Sequence, residues 1–159
     1  MARWSPKGNQ VSFLASGTDG RQLYSFSMNG GEVKKITSGN SVKTYEWSPD
    51  GSRIAFVALK EAPPQSFNNS FEVGSNDFLK TEAARPNNLW LLDLNTNEAW
   101  QTLPDSVNLG TDLATSSLAW SPDSKRIVFS RFATPFSGDS DLRRLVEVNL
   151  GSGVVKPLT

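Results

Sequence analysis

The residues best suited to chemistry lie in one stretch, EAPPQSFNNSFEVGSNDFLKTEAARPNN, residues 61–88, where Glu72, Glu82 and Arg85 stand among Phe67, Phe71 and Phe78. A carboxylate accepts the N–H groups of an ammonium, and a guanidinium donates a two-pronged pair of hydrogen bonds to a carboxylate or carbonyl. Glu72 or Glu82 can therefore meet the amino terminus of a peptide while Arg85 meets a carbonyl or carboxylate. The alternative reading is that the aromatics pin a long loop onto the protein body while the charges face water. Asn76 is placed to cap a short helix over residues 77–84, which Pro86 would follow.

What the chain lacks limits its chemistry further. It contains neither histidine nor cysteine, so a Ser-His-Asp or Cys-His arrangement, a disulfide and a thiolate metal site are all excluded. No G-x-S-x-G elbow occurs either, and no catalytic residue is assigned. Asp50 and Asp123 read as turn residues rather than as the paired carboxylates of a glycosidase. The stretches GTDG (17–20) and SGDSD (137–141) carry oxygen ligands without EF-hand spacing, and read as ordinary turns. No metal and no cofactor is implied.

Sixteen Lys and Arg balance sixteen Asp and Glu, so no net field gathers nucleic acid. Lys34-Lys35 and Arg143-Arg144 read as solvated strand faces. No apolar run reaches the roughly 18 residues of a membrane span, and the start, MARWSP, lacks a signal-peptide core. Bacterial periplasm and cytoplasm both remain open as the compartment.

The elements that must position these residues announce themselves by repetition. WSPKGNQVSF begins at Trp4, WSPDGSRIAF at Trp47 and WSPDSKRIVF at Trp120. A second element follows each: LYSFSMNGGEVKKIT from Leu23, LWLLDLNTNEAWQTL from Leu89 and LVEVNLGSGVVKPLT from Leu145. Both read as β-hairpins. Pro49 presets φ for the first turn, Asp50 can bond nearby amides and Gly51 accepts a positive φ, as do Pro122 and Asp123 in the third copy. There Ser124 replaces the glycine, at an expected cost of about 1 kcal/mol. NGG, NTN and GSG close the second hairpins. Each repeat is therefore a four-stranded antiparallel meander. Runs such as LWLLDL imply burial on both faces, as in sheets stacked around an axis. Trp4, Trp47 and Trp120 are expected to fill the wedges between sheets.

Four-stranded units at this period describe an all-β fold, a β-propeller with blades over about 1–37, 42–103 and 115–159 and an insertion at 60–88 in the second. The WSPDG-x-x-I-A-F and LWLLDL hairpins resemble the propeller repeats of TolB and of the prolyl oligopeptidase family of serine peptidases. FEVGSNDFLKTEAARPNNLWLLDL, from Phe71 to Leu94, resembles the elaborated second blade of bacterial peptidases in that family. The resemblance implies a non-catalytic propeller that restricts entry to small peptides and orients them for a hydrolase domain carried elsewhere. A TolB-like propeller that binds a protein partner is the alternative, and a glycan-binding assembly of several copies a third. The long connections, 16–22, 60–88, 104–115 and 131–142, should share one face of the disk.

Propellers usually close with four to eight blades, so three make an open arc, part of a larger ring. The arc's two end sheets are expected to expose apolar faces. The expected partners are the rest of a propeller with a hydrolase domain, or further copies of this chain, for which a six-bladed homodimer is one geometry.

Overall fold

A computed structural model describes residues 2–59, 86–110, 115–135 and 142–159. Twelve strands form three separate four-stranded sheets, every neighbouring pair antiparallel. Sheet one holds β1 (Ala2–Trp4), β2 (Gln10–Gly17), β3 (Gly20–Ser27) and β4 (Lys34–Lys35). Sheet two holds β5 (Val42–Trp47), β6 (Arg53–Leu59), β7 (Asn87–Asp93) and β8 (Glu98–Gln101), and sheet three β9 (Leu118–Trp120), β10 (Arg126–Phe132), β11 (Arg143–Asn149) and β12 (Val155–Pro157). Within each sheet the strands lie in chain order, so every sheet is a meander.

Side chains alternate across a strand, and sheet two uses both of its faces. Ile54, Phe56, Ala58 and Leu92 join Leu23 of sheet one in a buried cluster, with Leu14 and Ile36 packed against it. Ala55, Val57, Leu89 and Leu91 point the other way and meet Ile127, Phe129, Val146 and Val148 of sheet three. A strand wedged between two neighbours has no polar face to show, which is why RIAFVAL and NNLWLLD read as nearly unbroken apolar runs.

The first strands of the three sheets converge. Arg3 of β1 reaches Glu46 of β5 at 2.9 Å, and Trp120 of β9 donates its indole N–H to the Glu46 carbonyl at 3.3 Å. Three sheets meeting along their first strands give the radial stacking of a propeller.

Two expectations change in detail. Strand pairing between β2 and β3 runs to Gly17↔Gly20, so the expected 16–22 loop is a two-residue turn, Thr18-Asp19. Both end sheets carry apolar side chains outward. On sheet one, Val11, Phe13, Tyr24 and Phe26 lie opposite to the Leu14–Leu23 side, with Phe13 stacked on Tyr24 at 5.8 Å. On sheet three the outward face mixes Arg126, paired to Glu147 at 3.2 Å, with Val128 and Leu145, the latter 39% exposed. Second, Trp4 does not fill a wedge. It lies across from Val11 on the outward face and is 59% exposed, because no described sheet stands on that side.

Candidate functional site

The face that carries the long connections is assembled around sheet two. β6 and β7 pair as far as Leu59↔Asn87, so the insertion leaves and returns at one point on the sheet buried on both faces. A rigid mount of that kind is where loops commonly carry binding residues. Glu72, Glu82 and Arg85, and the helix expected over 77–84, lie outside the described residues.

The described residues at the anchor of the insertion form a polar floor. Asn87, Asn88 and Asn108 are buried. The Asn87 N–H donates to Asn108 Oδ1 at 2.9 Å, and the Leu109 N–H donates to the Asn87 carbonyl at 2.8 Å. Asp105 accepts from Asn88 Nδ2 at 3.1 Å and from Gln101 Nε2 at 3.0 Å. Asn87 Oδ1, Asn88 Oδ1 and Asn108 Nδ2 have no hydrogen-bond partner among the described residues. An unpartnered buried amide costs roughly 1–3 kcal/mol, so these three side chains are a polar cost carried at the anchor of the insertion. Sequence reasoning passed over these asparagines. The available signal was Asn87-Asn88 opening a strand otherwise apolar, and Asn108 between Val107 and Leu109.

Along the converging first strands, charge and aromaticity combine. Burial pushes the Glu46 carboxyl up, against the pull of Arg3. The same Arg3 guanidinium sits 5.8 Å from the centroid of the Tyr45 ring. Tyr45 donates to the Ser12 carbonyl at 2.8 Å, and Trp47 donates its indole N–H to Ser12 Oγ, also at 2.8 Å. Burial raises the Tyr45 hydroxyl as well, so at neutral pH it remains the donor this network needs.

The repeated turns face away from the insertion and are self-satisfied. Gly51 closes its turn with a 2.8 Å bond to the Ser48 carbonyl at φ 69°, and Ser124 does the same to Ser121 at 2.9 Å and φ 56°. Asp50 Oδ1 accepts from Ser48 Oγ at 2.7 Å and from the Ser52 N–H at 2.9 Å, bonds that hold its carboxyl below the usual range. Asp123 is lowered in the same way, first by the Ser121 hydroxyl and then by the Lys125 N–H. A general acid needs a raised pKa, so these carboxylates fit turn-making and not catalysis. Pro49 and Pro122 are exposed beside them. Trp47 is buried, and Trp120 packs against the cluster between sheets two and three. The serine of each WSP was the unnoticed member. Ser48 Oγ takes the Arg53 N–H at 2.9 Å and gives to the Arg53 carbonyl at 3.0 Å, and Ser121 repeats this with Arg126. In GTDG, Asp19 is held by Lys35 at 2.8 Å and by Thr18, while SGDSD lies outside the described residues.

No protein-family model matches the sequence. A curated relative, described as an uncharacterized peptidase, YuxL, of Bacillus subtilis, is 43% identical over 54 residues, which is 33% of this chain and 8% of the relative. Among solved structures, TolB from Acinetobacter baumannii aligns over 100% of this chain and 32% of its own, with TM-score 0.63 and 20% identity. An acylaminoacyl peptidase from Pyrococcus horikoshii aligns over 100% and 24%, with TM-score 0.61 and 18% identity. An oligogalacturonate lyase from Vibrio parahaemolyticus aligns over 98% and 38%, with TM-score 0.64 and 14% identity. The chain thus spans well under half the length of each of these proteins. At such identities the structural likeness shows the fold alone. That fold is the β-propeller common to TolB and to the peptidases, with three blades described in this chain.

Proposed function

We propose that this chain is the non-catalytic propeller segment of a prolyl oligopeptidase-family serine peptidase, gating and orienting peptide substrates for a hydrolase domain outside this sequence. The observation that carries the reading is the 43% identity over 54 residues to the relative named as an uncharacterized peptidase, against 14–20% for the fold neighbours cited above. The buried asparagine floor supports it, since it offers amide groups where the insertion is mounted.

In this reading Glu72 or Glu82 holds a peptide amino terminus and Arg85 a carbonyl or carboxylate. The repeat residues Trp47, Trp120, Pro49, Asp50, Gly51, Pro122 and Asp123 are scaffold. The aromatic outer face of sheet one receives the next sheet of the ring, either from the same polypeptide or from another copy. Apolar patches of this kind on soluble proteins mark such contacts.

The test uses the full-length product of the reading frame that contains this sequence. It should hydrolyse short fluorogenic peptides and spare long ones, with Glu72→Gln or Glu82→Gln raising KM for peptides with a free amino terminus but not for N-acylated ones. A reading frame that closes its ring and ends without a G-x-S-x-G elbow overturns the proposal. That outcome favours a TolB-like protein-binding propeller, a reading supported by the alignment of the whole of this chain with 32% of TolB.

A further inference from the structure

Of the seven strand-borne arginines described, Arg3 pairs with Glu46, Arg53 with Asp93 and Arg126 with Glu147, while Arg21 gives to the carbonyls of Val42 and Lys43. The other three lie at the loop end of sheet three. Arg131 of β10 stands directly opposite Arg144 of β11 in the antiparallel register, and Arg143 stands opposite Phe132. Directly opposed side chains share one face with Cβ atoms about 4.5–5.5 Å apart, where like charges weaken the pairing. Arg131, Arg143 and Arg144 form no ion pair with a carboxylate among the described residues. Arg131 gives one N–H to the Ser106 carbonyl at 3.3 Å, which draws it toward the connection leading from sheet two. Through Asn108, that connection also holds Asn87 at the foot of the insertion, so the two features share a face.

A cleft of 160 Å³ at this end of the sheet is lined by Arg131, Phe132, Ala133, Leu142 and Arg144. Leu142 is 64% exposed and Ala133, whose N–H gives to the Leu142 carbonyl, is exposed beside it, whereas Phe132 is buried and springs from the other face of β10. Two forked cations beside exposed aliphatic carbon match one chemistry, a carboxylate attached to an aliphatic or aromatic group.

We infer that this cleft binds a compact carboxylate bearing an apolar substituent, as the C-terminal residue of a peptide would present it. Only the naming of a peptide as occupant rests on the proposed function. The bound carboxylate neutralises the opposed arginines while its substituent covers Leu142 and Ala133. Arg143 and Arg144 are both exposed strand residues, as expected from the sequence; Arg144 lines the cleft and Arg143 does not.

The chain, titrated at low salt with N-acetyl-L-phenylalanine and followed by NMR or calorimetry, should bind saturably. N-acetyl-L-phenylalaninamide should bind about tenfold more weakly or worse, since it lacks the charge that the guanidinium forks recognise. Arg131→Gln and Arg144→Gln should each weaken acid binding by a similar factor, whereas Arg143→Gln should not. Far-UV circular dichroism and the unfolding midpoint check that the variants fold. Removing one of two like charges should leave the midpoint of the ligand-free chain unchanged or slightly raised. Equal binding of acid and amide, unchanged acid binding by the Arg131→Gln/Arg144→Gln double variant, or equal binding of inorganic phosphate each overturns the inference. Because the readout is binding to this chain, its failure leaves the peptidase proposal standing, and the absence of a hydrolase domain leaves the cleft standing.

Discussion

The two wedges that flank sheet two share an apolar core and differ in the polar contacts that join it. Between sheets two and three, aliphatic side chains and Phe129 pack together, joined by Leu103, Val107 and Leu109 from the connecting segment. Between sheets one and two, buried side-chain hydrogen bonds and an ion pair accompany the packing: Tyr45 and Trp47 converge on Ser12, and Arg3 meets Glu46. Apolar contact is strong but non-directional, whereas a hydrogen bond forms only near one distance and angle. The apolar wedge therefore supplies cohesion, and the polar wedge fixes how sheet one is rotated against sheet two.

The largest test of this contrast is Phe129→Ala. Phe129 is 1% exposed, and deleting a buried phenyl group typically costs about 3–5 kcal/mol. Urea unfolding should show that loss, while a loss no greater than that of the next variant would erase the distinction. Ser12→Ala should cost about 1–3 kcal/mol, because it strands the buried Trp47 indole N–H. A displaced tryptophan emission maximum should accompany it, marking a shifted sheet one.

The turns give a smaller and more discriminating pair. Gly51→Ala places a Cβ at φ 69° and should cost about 1 kcal/mol. Ser124→Gly relieves the same strain but removes the hydroxyl that accepts the Asp50 N–H at 3.2 Å, so its net effect should be smaller. This bond crosses from the turn of sheet three to that of sheet two. A Ser124→Gly gain as large as the Gly51→Ala loss would show that it contributes nothing.

Acid should act most weakly. Asp50 and Asp123 both titrate below the ordinary value of 3.8 in the folded chain. Their contribution is complete above that value and is lost as pH falls through the lowered folded values. Glu46, raised by burial above 4.5, has the opposite sign: its effect favours folding at low pH and fades as pH rises through the folded value. Unfolding midpoints measured across this range in wild type and Glu46→Gln should separate the two.

Much of the fold was legible because its signals are local. Proline, aspartate and glycine in WSPDG encode a turn through φ preferences and short-range hydrogen bonds, and three copies of it mark three sheets. The asparagine floor was less legible. Asn87 and Asn88 look like loop residues until Leu109 and Asn108, about twenty positions on, fold back onto them. The Arg131–Arg144 opposition was invisible for a similar reason, since register sets it across a connection whose length the sequence does not translate into pairing.

Sequence alone determined the strand meander, the number of sheets described, and the exclusion of histidine- and cysteine-based catalysis, because each follows from residue identity or near-neighbour geometry. Tertiary structure decided which outer face is aromatic and which mixes charge with aliphatic side chains, that Trp4 is exposed while its repeats pack inward, and which arginines stand without a carboxylate partner among the described residues. Those outcomes depend on which sheets are neighbours in space, and identical repeats acquire different surroundings once one stands in the middle and another at the end.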